Sequence, residues 1–165
     1  MNAIVIDAFD FCRSNGSKEG VTPVAEMTRL TKDCADHSGT ITWKVVGGTS
    51  KMGFPQMTLS VAGTVQLVCQ RCLTPYAHAI DASTVLMLGK DDEQADEIED
   101  MLDDETIDVI VGTRSMELLD LVEDEALLAL PHTPKHAVCP DTALLDAVKT
   151  EKLSPFDALK GLKSE

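Results

Sequence analysis

Hydrophobic residues along this chain fall into short, partly alternating runs through its first two thirds and take a helical spacing afterwards. The apolar, β-branched run "AIVIDAF" (3–9) predicts a first strand, and "VTPVAEMTRLTKDCA" (21–35), with Thr22 as cap and Pro23 in the first turn, predicts a helix. Three runs rich in Val, Thr and Ile follow: "GTITWKVVG" (39–47), "PQMTLSVAGTVQLVC" (55–69) and "YAHAIDASTVLML" (76–88). The breaks "GGTSKMGF" and "QRCLTP" between them predict an antiparallel meander, with Cys69 and Cys72 flanking a hairpin turn. "TIDVI" (106–110) returns the chain to the sheet.

The clearest helical pattern is "SMELLDLVEDEALLALP", starting at Ser115 and stopped by Pro131. At about 100° per residue, Leu118, Leu121, Val122, Ala126, Leu128 and Ala129 share one face, with Glu117, Asp120, Glu123 and Asp124 opposite. Glu125 breaks the division by projecting between Leu118 and Leu121, and a carboxylate there needs a partner, water or a proton. Arg71 in the cysteine hairpin is the candidate partner. Near the end, "SPFDALKGLK" has Ser154 as cap, Pro155 at the first helical position, and Phe156, Leu159 and Leu162 along one face. Such a helix is either a latch on the parent domain or a docking motif.

The expected fold class is therefore α+β, an antiparallel meander sheet packed by a long helix, with a small C-terminal helical segment. At 165 residues and 44% apolar, the chain has room for one core. We read 1–139 as the domain and 140–165 as a tether with an amphipathic helix.

Charge changes the picture. The chain has 28 acidic and 14 basic residues, a formal charge of -14, which repels nucleic acid and membrane surfaces and favours basic protein partners. The excess is concentrated in "DDEQADEIEDMLDDE" (91–105), which has no basic residue. With few large apolar side chains, this run reads as a solvated mobile loop, the alternative being a docking strip for a basic partner. Asp7 and Asp10 stand where a signal peptide would be apolar, and no later run reaches membrane-spanning length. The expectation is a cytoplasmic protein with no membrane partner. Five cysteines in a reducing compartment point to metal binding or burial, not disulfides.

Cys69 and Cys72, a CxxC at a hairpin turn, supply two zinc ligands with suitable geometry, and His136 and Cys139 after the helix stop could complete a tetrahedral set. A metal-free packed hairpin and a redox pair stand beside that reading. The redox pair fits least, because a strand and not a helix N-terminus follows. Cys12 and Cys34 read as buried small apolar residues, and His37, His78 and His132 as surface or satisfied core histidines. No motif joins a nucleophile, a base and an oxyanion site, so no enzyme and no small-molecule substrate are expected. With 4% aromatic residues and scattered Lys and Arg, the chain lacks the footprint of direct RNA binding. Arg71 is open to two readings, a structural ion pair with Glu125 or a phosphate contact.

"CQRCLTPY", then "LVEDEALLALPHTPKH" with Cys139 after it, and finally "SPFDALKGLK" resemble, in order and spacing, the bacterial YceD family. The resemblance implies a cytosolic protein needed for synthesis, processing or stability of 23S ribosomal RNA, with no known reaction. Many relatives have a longer, cysteine-rich segment after "ALPxxP", whereas this chain has only "HAVCP". The combined expectation is a non-enzymatic ribosome-biogenesis factor with no cofactor or one structural zinc. It would reach ribosomal RNA through a basic ribosomal protein, an assembly factor or an RNA-processing enzyme, contacted by Glu123 and Asp124 and by Phe156, Leu159 and Leu162. A direct RNA-binding module and a zinc or thiol enzyme are the alternatives.

Overall fold

The computed structural model describes residues 4–104, 106–140, 142–143 and 147. Its centre is a five-stranded sheet in the order β2-β3-β4-β5-β6, formed by Ser17–Pro23, Thr40–Thr49, Pro55–Val68, Pro75–Gly89 and Ile107–Val111. The first four strands run antiparallel to their neighbours; β3, β4 and β5 correspond to the three runs of the expected meander, and β2 is a strand that the sequence pattern does not predict. β6 departs from the meander by pairing parallel to β5. Parallel neighbours need a crossover, and the intervening chain supplies one as helix α3, Asp92–Met101.

That helix corrects the expected acidic loop. Asp91 caps it by accepting from the Gln94 N–H at 2.9 Å, and Ile98 is fully buried. Gln, Glu, Ala and Met are good helix formers, so one anchoring side chain, a cap and a close seat suffice. Gly89 provides the seat: a Cβ there would lie 2.8 Å from the Ala95 backbone nitrogen.

The N-terminal third also differs from expectation. Among the described residues of the first run only Val5–Ile6 forms a strand, β1, before Asp7 caps helix α1, Ala8–Arg13, by accepting from the N–H groups of Phe9 and Asp10. The run read as one helix from Thr22 is instead the end of β2, a single 3-10 turn at Val24–Glu26 and a short helix α2, Leu30–Asp33. Thr22 is not a cap; its hydroxyl accepts from the Trp43 indole Nε1 at 3.0 Å, in the sheet. Gly20 makes room for that indole, since a Cβ there would stand 2.7 Å from the ring.

The predicted late helix is shorter than its pattern. Met116–Glu117 form β7, which pairs with β1 in a two-stranded ribbon, and helix α4 covers Leu118–Leu128. Ser115 therefore plays no capping part. α4 lies over β4 and β5, burying Leu118, Val122 and Ala126 against Leu59, Val61, Val65 and Leu67. Leu119 is buried as well, while Leu128 is 78% exposed. Among the described residues no helix is long and apolar enough to cross a membrane. The expected C-terminal helix, with Phe156, Leu159 and Leu162, lies outside the described residues.

Candidate metal centre

The turn between β4 and β5 is a tight loop over residues 69–74, closed by the Cys69 N–H donating to the Thr74 carbonyl at 3.0 Å and the Leu73 N–H donating to the Cys69 carbonyl at 2.9 Å. Leu73 takes a left-handed conformation, φ 59°, which turns the chain so that Cys69 and Cys72 point the same way. Both thiols are buried.

The segment after α4 returns to this loop. The Gln70 N–H donates to the Pro134 carbonyl at 2.9 Å, the His136 N–H donates to the Cys69 sulfur at 3.4 Å, and the Arg71 guanidinium donates to the His136 carbonyl at 2.5 Å. These bonds bring His136 and Cys139 to the cysteine pair. Cys69 Sγ and Cys139 Sγ are 3.8 Å apart, Cys72 Sγ and His136 Nδ1 are 3.3 Å apart, and all four ligand atoms lie within 4.8 Å of one another. Sulfurs bound to one tetrahedral zinc at about 2.3 Å would sit about 3.8 Å from each other. The donor set fits zinc in chemistry and in spacing.

The surroundings favour anionic sulfur. Burial works against charge on Cys69, but the N–H groups of Cys72, His136 and Arg71 aimed at its sulfur outweigh burial and bring the thiol down to about 5. Cys139 is pushed up, first by burial and then by its bonds to Cys72 and Cys69. One thiolate is thus ready, and a divalent cation would supply the charge that the others need. The Thr74 hydroxyl lies 3.1 Å from the Cys72 sulfur, and the Tyr76 ring packs 5.0 Å from the His136 ring at a 44° tilt, fixing its orientation. With four protein ligands the set is closed and leaves no position for a substrate or an activated water.

Other site expectations are corrected. Arg71 does not reach Glu125; it binds the His136 carbonyl and so helps hold the candidate ligands together. Glu125 is half-buried with no cation paired to it among the described residues, and burial, with Asp108 adding repulsion, raises its pKa. The carboxylate that does find an arginine is Glu123, whose side chain is only 6% exposed and which binds Arg29. Glu123 is therefore an internal anchor and not an exposed partner contact. Asp124 is half-exposed and also pairs with Arg29. The sequence signal for Arg29 is slight: a single arginine in the run 21–35, which reads as a helix.

β5 spans Pro75 to Gly89, so the candidate metal ligands at its start and the Gly89 seat of α3 at its end lie at opposite ends of one long strand. No solved structure matches the chain. The model of the family described as large ribosomal RNA subunit accumulation protein YceD matches residues 57–163, which takes in both halves of the candidate ligand set, α3, β6 and α4. The three ordered motifs and this match over more than half of the chain agree: the chain belongs to the YceD family, whose name ties it to accumulation of large-subunit ribosomal RNA.

Proposed function

We propose that this chain is a non-enzymatic factor that supports synthesis, processing or stability of large-subunit ribosomal RNA through contacts with a basic protein. The observation that carries this reading is α3: it has six acidic residues and no basic one, and it is seated firmly on the sheet by Ile98 and Ala95. An ordered acidic surface steers a cationic partner and repels phosphate, so RNA would be reached indirectly. A basic ribosomal protein, an assembly factor or an RNA-processing enzyme has the required charge. Phe156, Leu159 and Leu162 are the proposed second contact.

Zinc, on this reading, is structural. A closed Cys3His set argues against the zinc or thiol enzyme, and the engagement of Arg29 and Arg71 within the fold argues against a direct RNA-binding module. The zinc would tie residues 134–139 to the β4-β5 turn and so fix where the chain leaves the domain.

Affinity capture from cells, with and without ribonuclease, tests the reading. The expected result is a basic protein that survives ribonuclease, weakens with salt, and is lost in Phe156→Ala/Leu159→Ala. Capture of large-subunit RNA that is abolished by ribonuclease, with no protein remaining, would overturn it.

A further inference from the structure

Resting on that reading and extending it, we propose that the outer edge of β6, together with α3, binds a basic, extended segment of the partner by strand addition. β6 is the last strand of the five-stranded sheet, and among the described residues β5 is the only strand paired with it, the Ile107 N–H donating to the Asp104 carbonyl at 3.3 Å. An open edge is a row of unsatisfied backbone donors and acceptors, which folds usually blunt with charge, proline or a covering element. β2, at the other edge, is blunted: it carries Lys18 and Glu19 and ends in Pro23. β6 is not. Ile107, Val109, Ile110 and Val111 are all half-exposed, and Asp108 is its one charge.

Charge specifies the occupant. Register places Asp108 opposite Leu86 and Val109 opposite Met87, so alternate residues face the two sides of the sheet. Along β6, Glu99, Leu102, Asp104, Ile107, Asp108 and Val109 line a groove of about 330 Å³, three carboxylates among three apolar residues, and the alternation turns Ile107 and Val109 toward α3, with Gly89, and Asp108 away from it. On the α4 side, Asp108 and Glu125 lie within electrostatic reach of each other, which adds to burial in holding Glu125 above its ordinary range. None of Glu99, Asp104, Asp108 and Glu125 is ion-paired among the described residues. A strand laid along β6 would send alternate side chains to both sides, and on each side Lys or Arg would meet carboxylates that have no ion partner among the described residues, Asp104 accepting from Thr106 and Asp108 from the Thr84 hydroxyl. The apolar stems of those residues suit Ile107 and Val109. A second copy of this chain fits poorly, because its own β6 would bring another α3 with like charge.

The test uses the full chain and three synthetic peptides: ten residues of alternating Val and Lys, the same peptide with a central proline, and its Val and Glu counterpart. Amide hydrogen exchange over 107–111 is the readout. The Lys peptide should slow exchange of the outward β6 amides, the proline peptide should protect less, and the Glu peptide should have no effect. Glu99→Lys/Asp108→Lys, both at exposed positions, should weaken the Lys peptide about tenfold or more while leaving the melting temperature of the free chain nearly unchanged. Equal binding of the Lys and proline peptides would reduce the effect to diffuse charge and overturn the proposal. So would β6 amides that are already protected to the global limit in the free chain, because residues 144–165 or a second copy would then cover the edge. If the chain still captures its basic protein while no peptide protects β6, strand addition fails alone; if it captures no protein, the reading beneath it fails.

Discussion

The backbone N–H of Arg29 donates to Oε1 of Glu123 at 2.6 Å, and its guanidinium Nε donates to Oε2 at 3.1 Å, across 94 positions of sequence. The Leu30 N–H adds a third donor at 3.0 Å, and the other guanidinium nitrogens reach Asp124 and the Asp120 carbonyl. α2 is a single turn whose first N–H groups have no partner within it, so a carboxylate from α4 satisfies them. This contact ties the segment before β3 to the helix that covers the sheet.

Removing the carboxylate leaves two backbone N–H groups without an acceptor. Glu123→Ala is expected to cost roughly 2–4 kcal/mol by urea denaturation. Arg29→Met should cost less, because the Arg29 side chain is 43% exposed and the backbone donors survive. A double-mutant cycle between Arg29→Met and Glu123→Gln should return a favourable coupling energy.

Glu123 also sets an acid limit. Burial works to raise its pKa, but the N–H groups of Leu30 and Arg29 and the Arg29 guanidinium outweigh burial and hold it below the usual 4.5. A carboxylate depressed in the folded state contributes stability that is present above pH 4.5 and is lost as pH falls through the folded value. Melting temperature should therefore fall more steeply below pH 4.5 in the parent chain than in Glu123→Gln.

Glu125 predicts the opposite sign. Burial first, and then Asp108, raises its pKa, so its ionised form opposes folding at neutral pH. Glu125→Gln should stabilise the chain on the order of 0.5 kcal/mol at pH 7, a small gain because solvent screens the site. The gain should shrink as pH falls through the raised value and vanish below the ordinary 4.5, where Glu125 is protonated in both folded and unfolded states.

Zinc binding has a direct check. Protein purified without chelator should contain about one zinc per chain, and cobalt substitution should give the spectrum of a tetrahedral thiolate site. Cys69→Ser and Cys139→Ser should lose the metal, whereas Cys12→Ser and Cys34→Ser should keep it. Chelation should lower the melting temperature and open residues 134–139 to protease, because the metal's binding free energy is part of the folding free energy.

Leu73 carries a backbone cost at the turn. A left-handed leucine at φ 59° is strained, and with 64% exposure it has little packing to lose. Leu73→Asn should gain about 0.5–1 kcal/mol, and Leu73→Ile should lose about 1 kcal/mol, because asparagine tolerates this region and a β-branched side chain does not.

What the sequence determined by itself was what local chemistry controls. Alternating Val, Ile and Thr around "GGTSKMGF" and "QRCLTP" specified the antiparallel strands β3, β4 and β5, because strand periodicity and turn residues act over a few positions. The CxxC turn and the HxxC after Pro131 identified the four donors of the candidate centre, since ligand chemistry resides in residue type. Tertiary structure decided the rest. Whether the second donor pair meets the first depends on Gln70, Arg71 and Pro134, contacts that span more than 60 positions. Arg29 and not Arg71 became the partner of a helix carboxylate, and the buried carboxylate was Glu123 and not Glu125. A helical wheel gives angles about one axis, but burial depends on which neighbours arrive, and here α2 arrived on the charged side of the wheel. The acidic run became a helix for the same reason: its charge was legible locally, while the seat for Ala95 and Ile98 exists only once Gly89 and β5 are in place.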